Sequence, residues 1–388
     1  MSYLITGAAI ANCLGTDTRT VLARAFAGTG AFSPASAYYD VPFATVLGVM
    51  PVLDTEGLAC AMTRVAGIAF ASVKQLHPAA HVAVERWGAR RVAYVFASST
   101  GGLEETERAI APDPRVPITA AYSYANHGVD ATTPAIMRYL GLEGVHLAIS
   151  TACSSGLKAL ASAIRLIDHG LADAVVVGSA DSLCRTTVFG FHSLGLTAPT
   201  ATQPFSRERA GLTLGEGSAY VVIERDGEAS RHAALASLGG IGAASDAFHH
   251  TSPHPEGLGG QMCMREALGR AKLSPNAISY VSAHGTGTPQ NDAAEAFAVN
   301  CVFERPIPLT ATKSLTGHTL GTAGLTSVVL AIESLRRQEI PPTSCAIADE
   351  ALHVRVVDTP TPARVEHVIV NAFGFGGSNA SAVISRRA

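Results

Sequence analysis

The stretch Ala148–Ile164, AISTACSSGLKALASAI, carries a cysteine where a short apolar segment gives way to small and apolar residues at a different period. Before it, Val145–Ile149 (VHLAI) is mostly apolar with a β-branched residue at each end, as in a strand. After it, Leu157, Leu160, Ile164 and Ile167 recur at helical spacing with Ala and Gly between them. Cys153 therefore falls close to a strand-to-helix corner.

A thiol attacks as the thiolate, and exposed N–H groups at a helix start favour negative charge. The corner is expected to lower the cysteine from its usual pKa of ~8.5. Ala152, Ser154, Ser155 and Gly156 leave room for a substrate at the sulfur. A free cysteine is more often a small buried hydrophobe, so the stretch alone keeps both readings open.

At 388 residues, 47% hydrophobic and 15% charged, the chain can bury a large core, as one big α/β unit or two fused halves. A net charge of −3 and a pI near 6.5 offer no electrostatic case for nucleic acid or an anionic membrane. No apolar run approaches the ~18 residues of a membrane span, and the N-terminus lacks a basic segment ahead of its apolar residues. The seven cysteines are scattered without a C-x-x-C pair, which predicts reduced thiols and a cytoplasmic protein.

Taken in order, Tyr3–Ile5 reads as a strand entering a Gly/Ala-rich turn at Thr6–Gly15, followed by a helix over about Asp17–Ala27. Gly28 to about Thr55 reads as surface loop, Met62–Gln75 as helix, Arg91–Ala97 as strand and Leu103–Ala111 as helix. Pro112–Ser123 is a loop and Asp130–Leu140 a helix. Ala174–Gly178 and Ser218–Glu224 are strands on either side of the Gly- and Arg-containing loop Gln203–Gly217.

The same order of elements then starts again. Ala234–Ala244 echoes the opening strand, Ile278–His284 echoes Val92–Ser98, and Val368–Asn379 echoes Val175–Ser182. Ile307–Lys313 with Leu315–Leu335 repeats the strand and helix around Cys153. This divides the chain into halves 1–233 and 234–388 and predicts two sheets packed around shared, buried, small-residue helices. By that symmetry Cys153 and the region of His318 face one another.

His284 (VSAHGTGTPQND) and His318 (TKSLTGHTLGTAG) both sit among Gly and Thr, which leave space for a ligand and supply hydroxyls. Most of the fourteen histidines need no such role. His249, His250 and His254 cluster in a Pro- and Ser-rich loop where no carboxylate or cysteine completes a metal set, so no metal is expected.

Together TACSSG, AHGTGTPQND, TKSLTGH and NAFGFGGSN resemble the elongating β-ketoacyl-acyl carrier protein synthases of the thiolase superfamily, over about Tyr3–Ile384. The resemblance implies a thiolase-like α/β fold of two duplicated halves in αβαβα layers. It also implies decarboxylative Claisen condensation of a malonyl thioester with an acyl chain on Cys153, assisted by His284 and His318 and supported by Lys313. It assigns the backbone N–H groups of Cys153 and Phe375 to an oxyanion hole, Phe375 to a gate, and Thr251, Thr286 and Thr288 to pantetheine. No cofactor is bound by the chain; phosphopantetheine arrives covalently on an acidic acyl carrier protein, for which Arg64, Arg207 and Arg209 are candidate contacts.

The histidine pair distinguishes this chain from initiating synthases, which resemble it but carry Asn at the position of His318, and from thiolases with a second cysteine. Ser327 stands where the family usually has glutamate, nine residues after the second histidine. With a short, Arg/Lys-poor early region, this points to polyketide or polyene assembly over general fatty acid synthesis. Tyr122–His127 (YSYANH) aligns with an acyl-pocket and subunit-contact segment and suits a conjugated or aromatic chain. The expected assembly is a homodimer, or a heterodimer with a synthase-like chain-length factor. Rival readings are a non-catalytic partner subunit and an acyltransferase that does not decarboxylate malonate.

Overall fold

The computed structural model describes residues 3–51, 53, 63–110, 123–345 and 347–387. The expected loop Pro112–Ser123, apart from Ser123, lies outside them, as do Cys60 and Tyr122.

Among the described residues, the first half gives the main sheet five strands: β1 (Tyr3–Asn12), β2 (Val92–Ala97), β3 (His146–Ile149), β4 (Ala174–Asp181) and β5 (Gly217–Arg225). The second half supplies β6 (Ala236–Ser245), β7 (Tyr280–Ser282), β8 (Pro308–Thr310), β9 (Arg355–Val356), β10 (His367–Gly374) and β11 (Ser378–Ser385). Their spatial order is β9-β8-β7-β10-β11-β6-β1-β5-β4-β2-β3. Outward from the β1/β6 seam, the halves run β1-β5-β4-β2-β3 and β6-β11-β10-β7-β8. Each has two antiparallel pairings and then two parallel ones. This is the repeat expected from the sequence. The two sheets are joined edge to edge where Tyr3, Leu4 and Ile5 pair with Leu238, Ser237 and Ala236.

Parallel strands are covered on both faces and so read as continuous apolar runs; β2 (VAYVFA) and β4 (AVVVGSAD) are buried at every residue. The principal helices are α1 (Thr18–Phe26), α2 (Arg64–Trp87), α3 (Ser155–Asp168), α4 (Leu258–Ala271), α5 (Pro289–Phe303) and α6 (Ala323–Arg337). Helix α3 packs on β2 and β4 and also reaches β6 and β11, while α6 packs on β10 and β5. Ala323 to Leu335 are all buried. Two helices can share this central layer because their backbones approach closely: a Cβ on Gly156 would lie 3.0 Å from the Gly321 carbonyl, and one on Gly324 2.8 Å from Leu157. Helix α2 covers the outer face of the first half, and α4 and α5 that of the second, completing the αβαβα layers.

Several local readings yield to tertiary contacts. The expected turn within Thr6–Gly15 continues as strand to Asn12, because Ala8–Ala11 pair with β5. Helix α2 runs to Trp87 with Pro78 inside it. The expected loop over 28–55 contains Ser33–Pro34 and Val46–Gly48, which join Leu214–Gly215 in a three-stranded ribbon. Helix α6 starts at Ala323, eight residues after the expected Leu315, because Gly317 (φ 70°) and Leu320 (φ 50°) turn the chain left-handed. His318 therefore sits in a turn ahead of the helix. At the sheet's far edge β3 leaves Leu147 37% exposed, with Val145 beside it 42% exposed.

Candidate active site

The corner that carries Cys153 is built on strain. Ala152, directly before Cys153, adopts φ 52°, a conformation costing roughly 1–2 kcal/mol for a residue with a Cβ. Its carbonyl is held by the Ser155 N–H (3.1 Å), the Ser155 hydroxyl (2.6 Å) and the Ser99 hydroxyl (3.2 Å). That turn delivers the sulfur to the floor of a cavity just before α3.

Two imidazoles from the second half meet it there. His318 Nε2 lies 3.0 Å from Cys153 Sγ, and the His284 ring stands edge-on to His318 with centroids 5.3 Å apart. All three side chains are buried, with ligand atoms within 4.8 Å of one another. A thiolate and two imidazoles are also a soft-metal donor set, opposed here by the adjacent Lys313 amine.

His284 is fixed from behind. Glu295 on α5 accepts the N–H of His284 (2.8 Å) and of Gly285 (2.8 Å) and the Asn371 amide (3.1 Å). Ser381 in turn donates to Asn371 Oδ1 at 2.7 Å. Lys313 Nζ donates to the His284 carbonyl and lies 3.3 Å from His284 Nδ1. Because an ammonium can only donate, Nδ1 is the acceptor and Nε2 carries the proton that faces the cavity. His318 Nδ1 is buried without a partner, so no described contact holds His318 in one tautomer.

Burial dominates the electrostatics. It pushes the Cys153 thiol up to about 11; the Asp181 charge adds to this, while Lys313 and the N–H groups of Cys153 and Phe375 act the other way. The lowered thiol expected of the helix start is thus not found, because desolvation outweighs the donors there. Burial also holds Lys313 down at about 8, although Glu295, Cys153 and Asp292 favour its charge. Both histidines are pushed well below their ordinary value by burial and then by Lys313, with His318 a further cause for His284. They are neutral at pH 7.

Thr251, Thr286, Thr288 and Phe375 line the same cavity as Cys153, His284 and His318; Lys313 stands behind His284. The hydroxyls of Thr286 and Thr288 are 2.9 Å apart. Phe375 stacks on Phe191 with centroids 5.4 Å apart, and it precedes two glycines with positive φ, Gly376 and Gly377. His249 and His254 accept neighbouring backbone N–H groups within their own loop.

Three expectations need correction or closer placing. Arg64 is paired with the fully buried Glu216, and Arg209 with Asp349 at 2.6 Å, so neither is free to meet a partner; Arg207 is exposed. Tyr124 is 77% exposed and stacks on His127, so this part of Tyr122–His127 faces outward and not into the described cavity. Sequence reading also passed over Glu295, Asn371 and Asp181. The available signal was a polar residue inside a mostly apolar helix or strand: Glu295 in α5, Asn371 in β10 and Asp181 at the end of β4.

Residues 58–229 match the beta-ketoacyl synthase N-terminal domain and residues 235–346 the C-terminal domain of the same family. The 3-oxoacyl-[acyl-carrier-protein] synthase 2 of Vibrio cholerae is 34% identical over 333 residues, 78% of each chain. A ketosynthase solved in complex with its chain length factor from Xenorhabdus doucetiae superposes with a TM-score of 0.91 at 32% identity, covering 99% of this chain and 98% of that one. The ishigamide ketosynthase/chain length factor gives a TM-score of 0.90 at 25% identity over 100% and 99% of the two chains. With a cysteine elbow from one duplicate, two neutral imidazoles from the other and both halves of the family pattern present, this chain belongs to the beta-ketoacyl synthases.

Proposed function

We propose that the chain joins an acyl group to a malonyl unit on acyl carrier protein by decarboxylative condensation. The observation that carries this is the convergence of two neutral imidazoles on one buried thiol. First the Cys153 thiol gives its proton to His318 Nε2 as sulfur attacks the acyl thioester. The N–H groups of Cys153 and Phe375 stabilise the oxyanion, and the departing carrier thiol takes that proton.

A malonyl thioester then enters the same cavity and its C–C bond breaks, releasing CO₂ and leaving an enolate. Nε2–H of His284 donates to the enolate oxygen, and so does Nε2–H of His318 once its ring proton has moved from Nδ1, which no described contact holds; neutral imidazoles can do so without first losing a competing charge. The enolate carbon attacks the acyl–Cys153 carbonyl, the C–S bond breaks, and the Cys153 thiolate regains a proton from solvent. Thr251, Thr286 and Thr288 hold the pantetheine amides, and Phe375 swings on Gly376 and Gly377 to admit the acyl chain. Holding both thioesters in one cavity can lower the barrier by about 7–11 kcal/mol.

The partner chain is a second synthase fold pairing along β3, where exposed Leu147 and the adjoining Val145 offer an apolar edge at the end of the sheet. A chain length factor is the favoured occupant, since two similar structures were solved with one; that assembly suits polyketide or polyene synthesis. The six described cysteines are free, as in a reducing cytoplasm, and no described helix is long and apolar enough to cross a membrane. Acyl- and malonyl-carrier protein supplied together should acylate Cys153, release CO₂ and yield a product two carbons longer. Acylation without CO₂ would leave an acyltransferase, and no acylation a non-catalytic partner.

A further inference from the structure

Asp181 ends β4 with no solvent exposure, and its two carboxylate oxygens serve different halves of the fold. Oδ1 accepts the N–H of Ser99 (2.7 Å) and of Thr100 (2.9 Å) and the hydroxyls of Ser98 (2.9 Å) and Thr100 (3.0 Å). Oδ2 accepts the N–H of Thr322 (3.2 Å) and its hydroxyl (3.4 Å).

Each set leads to a reacting group. Ser99 holds the carbonyl of Ala152, the left-handed residue before Cys153, at 3.2 Å. Thr322 closes the turn Leu320–Thr322 that follows His318 and leads into α6; Ser179 on β4 reinforces it with a hydroxyl contact of 3.0 Å. The turn is pressed against the carboxylate, since a Cβ on Gly321 would stand 3.0 Å from Asp181 Oδ2.

We propose that Asp181 is a positioning residue that locks the Cys153 elbow to the His318 turn, so that one buried carboxylate sets the sulfur-to-imidazole separation. The inference rests on Cys153 and His318 acting together, as in the function proposed above. Three of the six bonds come from backbone N–H groups, which can only donate, and a buried N–H left without an acceptor is destabilising. An elbow with a strained residue needs such an anchor to keep its geometry.

Asp181→Asn makes the test specific. Asparagine keeps one acceptor oxygen, and its amide must face either the Ser99 and Thr100 donors or the Thr322 N–H. The longer Thr322 bonds are the ones that yield, so the variant frees the His318 turn and leaves the elbow capped.

The experiment follows acylation of Cys153 by an acyl-pantetheine thioester, by intact mass, in Asp181→Asn, Thr322→Val and the double variant. Asp181→Asn should slow the acylation step by about 10²-fold, the scale of a roughly 1 Å misplacement, with half-saturation by thioester unchanged and a cooperative melt. Thr322→Val, which keeps its N–H, should lose less, and the double variant should be no slower than Asp181→Asn alone. A full-rate Asp181→Asn, or a double variant that multiplies the single effects, overturns the proposal. Should Asp181→Asn not fold, Ser99→Ala and Thr322→Val carry the test: slowing in both supports the lock and wild-type rates in both overturn it. No malonate is involved, so failure of condensation and failure of this lock are read separately.

Discussion

His318 Nε2 rests 3.0 Å from Cys153 Sγ although the two residues are 165 positions apart and belong to different duplicates. Burial raises the thiol and lowers the imidazole, so the resting pair is a neutral thiol beside a neutral base. In the function proposed above, nucleophilic sulfur is then generated only as substrate arrives and the proton moves.

Replacing Cys153 with Ala should abolish the acyl adduct and the condensation product, because no other described thiol lines the cavity. Slow loss of CO₂ from malonyl-carrier protein should survive, since both imidazoles remain. Intact mass and CO₂ release measure the two separately, and an acyl adduct elsewhere on the chain would refute the assignment.

His284→Ala and His318→Ala should each slow decarboxylation by about 10²–10³-fold, the usual cost of one donor to a developing oxyanion. His318→Ala should also slow acylation, because it removes the 3.0 Å partner of the thiol. His284→Ala should leave acylation less affected. Single-turnover acylation and CO₂ release distinguish the two histidines.

Lys313 is held at about 8 against an ordinary value of 10.5. Between those values the unfolded chain keeps a proton that the folded chain has released, so this residue makes stability rise with pH across that window. Wild-type unfolding free energy should gain on that of Lys313→Met by about 1.4 kcal/mol per pH unit there, read from urea melts near pH ~8.5 and ~9.5. Parallel pH slopes would count against a buried, depressed amine.

Glu295→Gln should destabilise the fold by about 1–3 kcal/mol, because its amide would confront the N–H of His284 or Gly285 where an acceptor is required. It should also push Lys313 lower still, since Glu295 is the strongest support for that charge. Chemical denaturation and the pH profile of decarboxylation test the two effects.

Leu147→Lys on β3 places a charge on the exposed edge and, if the proposed pairing along β3 holds, should weaken association with that partner while leaving the monomer's own core intact. Analytical ultracentrifugation of the co-expressed pair would show faster dissociation; an undisturbed complex would move the interface elsewhere.

The sequence by itself determined what is local and repetitive. The period change at Cys153, the Gly- and Thr-flanked histidines and the fourfold echo of elements all follow from residue order. The matching strand orders of the two halves answer that repeat. Only the tertiary structure decided the rest. Ala8–Ala11 became strand because β5 lies beside them, and His318 left its helix for a turn that presses on Asp181. Arg64 and Arg209 look like free surface cations until Glu216 and Asp349 fold against them. The anchors Asp181 and Glu295 stayed hidden for the same reason: Asp181 reaches Ser99 and Thr322 across 82 and 141 residues, and Glu295 reaches Asn371 across 76. Hydrogen bonds at such separations leave no period in the chain, and even the sign of the thiol's pKa shift waited on how much water the fold removes.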